Sequence, residues 1–290
     1  MKFGVTFPQT EIGNDPGAIR EFAQVAEELG YEHILIAEHV LGADPVKHPI
    51  LAGPYTNKTP FHEPFVLLGY LAGVTSRIKL TTGVVVLPQR QTALVAKQAA
   101  AVDVLTNGRL RLGVGVGWNR FEYQALGEDF HTRGRRLEEQ VALLRRLWTE
   151  ESVDFAGKWH TVTGAGINPM PVQRPIPIWM GGHAEPVLRR VGRLADGWIP
   201  MMQPDDAFRA AMQRIHDYAR EAGRDPASIE IRGSVNIALT TKGELAAAIP
   251  AWRDIGATQI DAITMFGGLD MPQKHIDAIR RFKEFADSLS

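Results

Sequence analysis

A chain of 290 residues with 44% hydrophobic and 22% charged residues has the composition of a globular protein that buries a large core. Its 32 Lys and Arg residues against 33 Asp and Glu residues give a net charge of −1, which argues against a surface that gathers nucleic acid. The absence of cysteine excludes a disulfide framework, a thiolate metal site and a catalytic thiol.

The amino terminus shows no export signal. Residues 1–10, MKFGVTFPQT, hold one Lys and a short alternating run that Pro8 interrupts, whereas a signal peptide needs a longer apolar stretch. No apolar run in the sequence approaches the ~20 residues that span a bilayer. We therefore expect a cytoplasmic protein that acts on a small molecule and binds neither membrane nor nucleic acid.

Short β-branched runs alternate with longer segments of helical period, a pattern typical of repeated βα units. Strands are predicted at residues 2–7, 33–37, 78–86, 110–116, 176–180, 197–200, 229–239 and 259–263. Helices are predicted at 16–29, from 64 onward, and at 93–105, 134–148, 186–194, 205–222, 244–255 and 274–289. Asn14 or Asp15 is expected to cap the first helix, Gly30 to end it, and Pro64 to open the second.

Two connections exceed the usual length of about two to six residues. Residues 39–62 follow the second strand at the rim where barrel active sites lie, so we expect a lid there. Residues 151–175 precede the fifth strand and predict a β-hairpin, with strands at 153–155 and 159–162 around Gly157 and Lys158.

Eight βα units within 290 residues favour the α/β class and a single (β/α)8 TIM barrel over residues 1–290, with these two insertions. An open doubly wound sheet is the alternative. It is disfavoured because the first strand lacks the Gly-x-Gly-x-x-Gly turn of a dinucleotide fold.

The predicted fourth strand ends in three glycines, Gly113, Gly115 and Gly117. Glycines at the carboxyl end of a strand let a flat ligand lie against bare backbone, because no Cβ blocks its approach. The same glycines could instead relieve crowding within the barrel. Spacing alone does not separate these two interpretations.

A second glycine pair, Gly181 and Gly182, follows the predicted fifth strand and precedes a helix. Free N–H groups at a helix N-terminus make a site suited to a phosphate, although a tight βα turn would need the same glycines. His39 follows the second strand and could be a general acid or base near neutral pH or a structural hydrogen-bonding residue. Its neighbour Glu38 could be a buried partner of a rim arginine.

Several common sites are excluded. The sequence has no Gly-x-Ser-x-Gly elbow, His-Glu-x-x-His pair or phosphate-loop signature. No metal site is predicted, because the other histidines considered are scattered without ligand spacing: His48, His62, His131, His160 and His183. The helix segment around Glu138 and Glu139 is expected to be a solvated face with i,i+4 pairs such as Arg135–Glu139.

Residues 115–127, GVGWNRFEYQALG, followed by Arg133-Gly-Arg-Arg and Trp148, resemble the luciferase-like monooxygenase family. Within that family the sequence is similar to the branch that depends on the deazaflavin coenzyme F420. Further matching segments are residues 3–8, 37–39, 80–84, 168–171, 177–182 and 195–198. Together they cover about residues 1 to 200.

The resemblance implies that a tricyclic ring lies across the barrel mouth, held by backbone and side chains of the strand ends. It implies a non-prolyl cis peptide at Gly83–Val84, with Val84 against the central ring, and His39 beside the reactive face. The ring and its phosphate would be held by Gly83, Val84, Gly115, Gly117, Trp118, Gly181, Gly182, Pro200, Met201 and Met202. Trp118 stands where the sugar-phosphate dehydrogenases of this branch carry an acidic residue, so sugar phosphate is not the expected substrate.

Three functions are consistent with these residues. The first is hydride transfer between coenzyme F420 and a small organic substrate, with His39 as acid or base. The second is a monooxygenase that uses FMN, reduced by a partner reductase, together with dioxygen. The third is a ligand-binding barrel without turnover. The resemblance also implies a homodimer, since the family often forms one.

Overall fold

The computed structural model describes residues 1–49, 53 and 55–289. Its strands are β1 (Lys2–Thr6), β2 (His33–Ile36), β3 (Lys79–Thr82), β4 (Val85–Val86), β5 (Leu110–Gly115), β6 (Val153–Ala156), β7 (Thr161–Ala165), β8 (Ile178–Gly181), β9 (Gly197–Ile199), β10 (Glu230–Asn236) and β11 (Gln259–Ile263). Its α-helices are α1 (Pro16–Glu28), α2 (Pro64–Val74), α3 (Thr92–Leu105), α4 (Arg120–Ala125), α5 (Arg133–Thr149), α6 (Glu185–Leu194), α7 (Asp206–Glu221), α8 (Lys242–Asp254) and α9 (Pro272–Ser288).

The parallel strands close into a ring. Neighbours around it are β1, β2, β3, β5, β8, β9, β10 and β11, and β11 returns to β1 with Ile260 opposite Phe3. β4 extends β3 beyond a break and pairs with β5, where Val85 lies opposite Val114. The predicted TIM barrel is therefore confirmed, and the open-sheet alternative is wrong.

The strand predicted at 78–86 is divided in two. Residues Gly83 and Val84 interrupt it, and the peptide bond between them is cis, as the family resemblance implied. Gly83 N–H donates to the carbonyl oxygen of Ile36 at 2.7 Å, so the break lies beside the end of β2. It brings residue 84 out of the regular ladder at the carboxyl-terminal rim.

Helix boundaries follow the predicted caps. The Asp15 carboxylate accepts the N–H of Ala18 at 2.7 Å at the start of α1, and Gly30 ends that helix with a φ of +74°, which favours glycine. Pro64 is the first residue of α2, and the Glu63 carboxylate caps it by accepting the N–H of Val66 at 2.8 Å. Each of these local predictions is confirmed.

Both insertions are present. The first contains no helix or strand among its described residues, while residues 50–52 and 54 of the predicted lid, and residue 290, lie outside the described part of the chain. The second contains the predicted hairpin, formed by the antiparallel strands β6 and β7. Its second strand begins at Thr161, two residues later than predicted.

Two predictions for the segment after β5 fail. The short helix α4 was not predicted. Glu139 does not lie on a solvated face, because its carboxylate accepts the N–H groups of Lys158 (2.7 Å), Trp159 (2.8 Å) and His160 (2.9 Å) in the hairpin. The expected Arg135–Glu139 pair is therefore wrong, since the carboxylate fastens the second insertion to α5.

The lower part of the barrel interior holds charged groups as well as apolar ones. Asp261 is fully buried, and its carboxylate lies 2.7 Å from Nε of Arg232 and 3.0 Å from Nε2 of the fully buried His33. We call these three residues the barrel floor. Among the helices of the described residues, none is long and apolar enough to cross a bilayer.

Candidate active site

The break in the third barrel strand presents Val84 at the mouth of the barrel. Val84 is half-buried within a strand region that is otherwise mostly buried. Its side chain packs on a small apolar cluster formed by Leu35, Trp179 and Ile199. The outcome is an apolar surface at the mouth, which we call the Val84 seat: Val84 with Leu35, Trp179 and Ile199 beneath it.

Two of the predicted glycines make room for this side chain. A Cβ on Gly115 would lie 2.5 Å from Cγ2 of Val84, and a Cβ on Gly181 would lie 2.8 Å from its Cγ1. A Cβ on Gly113 would lie 1.9 Å from the carbonyl oxygen of Thr82. The geometry thus supports the packing interpretation of these glycines, and the surface that faces the mouth is Val84.

Gly117 and Trp118 continue from β5 toward the lid. Gly117 has a φ of +63°, which suits glycine, and a Cβ there would lie 2.6 Å from Cγ1 of Val86. Trp118 is 37% exposed, and a Cβ on Gly53 of the lid would meet its ring at 2.0 Å. Glycine at position 53 therefore lets the lid lie directly on the indole.

His39 is paired with a carboxylate that the sequence reasoning did not assign. Nδ1 of His39 lies 3.2 Å from both oxygens of Glu122 on α4. The Glu122 side chain is 1% exposed and also accepts the N–H groups of Val40 (2.8 Å) and Leu41 (3.1 Å). Burial alone would raise the pKa of Glu122, but the hydrogen bonds from His39, Val40 and Leu41 hold it below its ordinary value.

This pairing decides which ring nitrogen is available for chemistry. An ionised carboxylate only accepts hydrogen bonds, so Nδ1 of His39 carries the proton that points at Glu122. Nε2 is then the nitrogen that can take up or release a proton. Glu122 lies within the family-like run 115–127, and that run together with a histidine after β2 is the signal that could have suggested the pair.

Aromatic side chains surround the histidine. The ring centroid of His39 lies 4.8 Å from that of Tyr55, 5.1 Å from that of Phe61 and 5.6 Å from that of Trp118. We call Tyr55, Phe61 and Trp118 the aromatic box. Burial raises the pKa of Tyr55, which keeps its hydroxyl neutral in this setting.

A cavity of about 290 Å³ opens beside this box. Its lining comes from the end of β2 and from the lid: His39, Val40, Leu41, Gly42, Tyr55, Thr56, Asn57, Thr59 and Phe61. None of these lining residues is an Asp, Glu, Lys or Arg. The sequence did not predict the roles of Tyr55 and Phe61, because the lid has no helical or strand periodicity that would identify its inward-facing residues.

The second glycine pair, Gly181 and Gly182, adjoins the Val84 seat at the end of β8. Gly182 has a φ of +113°, its N–H donates to the carbonyl oxygen of Ile199 at 3.2 Å, and its own carbonyl accepts from Nε1 of Trp198 at 2.7 Å. The Gly182 N–H is thus already used. Whatever N–H groups serve an anion here belong to the residues that lead into α6.

The start of α6 offers few N–H groups to an anion, because Pro186 has none and the Val187 N–H donates to the carbonyl oxygen of Ala184 at 2.7 Å. Its N-cap residue is Ala184, whose side chain cannot accept a hydrogen bond from the first turn. The Glu185 carboxylate in that turn is bonded instead to Arg214 at 2.6 Å and to the hydroxyl of Tyr218. Pro200, Met201 and Met202 follow β9, whose Ile199 lies opposite Gly181; Pro200 is buried and Met201 is 82% exposed.

The predicted residues thus form two adjoining groups. Gly83, Val84, Gly115 and Gly181 meet at the Val84 seat, and the segment 200–202 borders it through the β8–β9 pair. His39 and Trp118 meet within the aromatic box. The two groups are joined where Gly83 bonds to β2, the strand that His39 follows.

Comparisons with known proteins agree with this architecture. The family model for luciferase-like monooxygenases matches residues 1–286. An uncharacterized protein of Mycobacterium tuberculosis is 35% identical over 213 residues, which cover 70% of this chain and 71% of that protein.

Two solved structures share the fold at low identity. An F420-dependent secondary alcohol dehydrogenase, solved with an F420-acetone adduct, superposes with a TM-score of 0.82 at 18% identity, covering 100% of this chain and 99% of that one. The monooxygenase RslO1 from Streptomyces bottropensis superposes with a TM-score of 0.81 at 22% identity, covering 98% of each chain. At these identities the likeness shows the fold alone.

Proposed function

This chain belongs to the luciferase-like monooxygenase family, and from that premise we propose that it is an oxidoreductase that transfers a hydride between coenzyme F420 and a small neutral organic substrate. The observation that carries the proposal is a carboxylate-paired histidine at the end of β2, next to the strand break that presents an apolar seat. Such a pair supplies a proton beside a surface on which a flat ring can rest.

The described residues fit a tricyclic cofactor. Val84 offers a half-exposed apolar face at the mouth, and its own position depends on Gly115 and Gly181. The phosphate would be held beside Gly182 and the segment Pro200–Met201–Met202, by the N–H groups of Ala184 and Glu185 that open α6. When bound, the deazaflavin supplies the hydride-transfer chemistry at its C5 position.

His39 would manage the proton that accompanies the hydride. Reduction of a carbonyl requires a proton at its oxygen, and oxidation of an alcohol requires removal of one. Nε2 of His39 would perform both tasks, because Glu122 accepts from the other nitrogen and fixes the orientation of the ring. Glu122 thereby acts through His39 as a positioning residue.

The cavity supports an uncharged substrate. The described residues of its lining carry aromatic, aliphatic, hydroxyl and amide groups besides the imidazole of His39, and none of them is an Asp, Glu, Lys or Arg. A phosphate or carboxylate placed there would lose its hydration without gaining an arginine or lysine partner. Small ketones and secondary alcohols meet these requirements, and the related fold of an F420-dependent secondary alcohol dehydrogenase is compatible with them.

The alternative is an FMN-dependent monooxygenase that receives reduced flavin from a partner reductase. Its support is the description of the matching family and the shared fold of the monooxygenase RslO1. The two functions differ in their use of oxygen, because deazaflavins do not activate dioxygen readily. Oxygen consumption with reduced FMN, and none with reduced F420, would favour the alternative.

The purified protein should be titrated with FMN and with F420, each oxidised and reduced, and followed by absorbance. We expect F420 to bind at least about tenfold more tightly than FMN, a difference of about 1.4 kcal/mol. A reversed preference would replace the proposal with the monooxygenase. Failure of both cofactors to bind would leave a ligand-binding barrel.

We also propose a homodimer through α2 and α3. These two helices pack side by side, yet Val66 is 72% exposed on α2, and Leu94 and Leu105 are 52% and 68% exposed on α3. Exposed apolar side chains on adjoining helices are typical of a covered surface. Sedimentation should report a dimer, and Leu105→Glu should yield monomer; a wild-type monomer would contradict this assignment.

A further inference from the structure

We infer that Arg90 is a positioning residue that holds both ends of the lid together and ties them to the strand that carries Val84. The inference concerns the site of the proposed function and rests on it for its catalytic meaning. Arg90 lies between the short helical turn Leu87–Gln89 and α3. It contacts neither the cavity lining nor the aromatic box by any of its described polar contacts.

One arginine binds a carboxylate at each end of the lid. Nε of Arg90 donates to Oε1 of Glu38 at 2.8 Å, and Nη2 donates to the same oxygen. Nη1 lies 2.9 Å from Oε1 of Glu63. Because Glu38 directly precedes residues 39–62 and Glu63 directly follows them, the guanidinium closes the base of the lid.

Because the Glu38 side chain is buried, losing its contact with Arg90 would leave a carboxylate without a counter-charge. The side chain of Glu38 is 1% exposed and that of Arg90 is 15% exposed, whereas that of Glu63 is 39% exposed. A buried carboxylate without a counter-charge is strongly disfavoured. The sequence-based suggestion that Glu38 pairs with a rim arginine is confirmed, and that arginine is Arg90.

Arg90 is itself held from three sides. Its N–H donates to the carbonyl oxygen of Leu87 at 3.0 Å, and its carbonyl accepts from Nε2 of Gln140 on α5 at 3.1 Å. Its guanidinium lies 5.6 Å from the ring centroid of Phe65 on α2. The side chain therefore projects from a fixed backbone.

The same carboxylate connects the lid to the Val84 seat. Oε2 of Glu38 accepts the N–H of Val86 at 2.7 Å. Val86 stands two residues beyond Val84 in β4, and its side chain fills the space that a Cβ on Gly117 would need. Arg90, through Glu38, thus fixes the strand immediately after the break.

The arrangement matters because the lid carries part of the aromatic box. The rings of Tyr55 and Phe61 lie 4.8 and 5.1 Å from that of His39, and bringing the two ends of a long loop together costs conformational entropy. Holding its two ends on one guanidinium removes part of that cost before substrate binds. Arg90 would therefore set how tightly Tyr55 and Phe61 enclose the histidine.

We call the contacts of Arg90 with Glu38 and Glu63 the clamp. The test distinguishes the contact with Glu38 from the contact with Glu63. Glu63→Gln removes the charge but retains an oxygen that can cap α2 at the Val66 N–H, so it releases only the far end of the lid. Arg90→Lys keeps the charge but cannot span two carboxylates with a fork, so it loosens both ends and Val86. Glu150→Gln, which removes a similar pair with Arg146 (2.6 Å) on α5, is the matched control.

Amide hydrogen exchange of the full-length protein without cofactor reports on the lid directly. We expect residues 55–62 to exchange about threefold faster in Glu63→Gln and about tenfold faster in Arg90→Lys, as loss of ion pairs of this kind implies. Exchange of β4 should rise in Arg90→Lys only. The double variant should exchange no faster in the lid than Arg90→Lys alone, because both changes remove the same contact.

Cofactor titration of the same variants completes the test. Glu63→Gln should bind F420 within twofold of wild type, whereas Arg90→Lys should bind it several-fold more weakly because β4 is loosened. Unchanged lid exchange in both single variants, or equal acceleration in Glu150→Gln, would overturn the clamp. If the wild type binds neither F420 nor FMN, the proposed function is wrong. The exchange measurements, which need no cofactor, still test whether Arg90 holds the two ends of the lid.

Discussion

Two histidines flank the second barrel strand, and each is bonded to a buried carboxylate. His33 begins β2 and pairs with Asp261 in the barrel floor, where Arg232 contacts the same carboxylate and both side chains of the histidine pair are fully buried. His39 follows β2 and pairs with Glu122, but its side chain is 10% exposed and lines a cavity of about 290 Å³. The chemistry of the two pairs is alike, and their surroundings differ.

The different surroundings give the two histidine pairs different roles, one in stability and one in the proposed chemistry. In the floor, Arg232 adds a third charged group and both side chains of the His33–Asp261 pair are fully buried, so we expect this pair to stabilise the fold. At the rim, the carboxylate also holds the backbone of Val40 and Leu41, and the histidine itself lines the cavity. A histidine with a carboxylate partner is thus a candidate acid or base only where its second nitrogen can meet a substrate.

The largest effect is expected at the rim. His39→Ala should lower turnover of a neutral ketone or alcohol by about 10²- to 10⁴-fold, the range for loss of a general acid or base, while the dissociation constant of F420 stays within twofold. Steady-state rates and absorbance titration give both values. His48→Ala, another lid histidine, is the control, and wild-type turnover in His39→Ala would contradict the assigned role.

A change in the floor should act on stability. Asp261→Ala leaves Arg232 and any protonated His33 without their partner, so the free energy of unfolding should fall by about 3–5 kcal/mol. Denaturant unfolding measures this directly. Asp270→Ala, which breaks an exposed pair with Lys274, should leave the midpoint nearly unchanged; equal effects of the two variants would show that the barrel floor contributes no more to stability than an exposed ion pair.

Acid should reveal the floor carboxylate in the wild type. Burial alone would raise the pKa of Asp261, but Arg232 and His33 lower it to about 2. A depressed pKa contributes stability that is complete above the unfolded value of about 4 and is lost as pH falls through about 2, some 2 kcal/mol in all. Unfolding free energies between pH 5 and pH 2 should fall less steeply in Asp261→Asn; parallel curves would show that Asp261 is not responsible.

The smallest of these effects is expected at Glu122. Glu122→Gln retains an amide oxygen for Val40 and Leu41 but replaces the other oxygen with an NH2 group that cannot accept from Nδ1 of His39, so the ring loses its fixed orientation. Turnover should fall by about tenfold with unchanged F420 affinity. Glu128→Gln, which alters the half-buried pair with Arg136 in the same region, serves as the control. A loss of F420 affinity as large as the loss of turnover would mean that Glu122 only maintains the fold.

The sequence predicted what depends on neighbours along the chain. Asp15, Gly30 and Pro64 act through bonds or dihedrals within a few residues, so the ends of α1 and the start of α2 were correctly placed. The cis bond at Gly83–Val84 was inferred from family resemblance, and no periodicity would have indicated it. Eight alternating strand and helix patterns over 290 residues favoured the closed ring over the open sheet.

What the sequence could not predict depends on distant residues that the ring brings together. Glu122 meets His39 across 83 positions, and Arg90 meets Glu38 across 52. The prediction that Glu139 lies on a solvated face was wrong because its carboxylate binds a hairpin N–H 20 positions later, at Trp159. The glycines after β5 were ambiguous until the position of Val84 showed what occupies the space that they leave.

One titration tests whether Val84 and the residues that support it form the seat of a deazaflavin ring. F420 should be added to the wild type, to Val84→Asp and to Val172→Asp, which places the same charge at an exposed position. We predict tight binding to the wild type and to Val172→Asp, and a loss of at least tenfold in Val84→Asp. Equal affinity in all three proteins would contradict the claim.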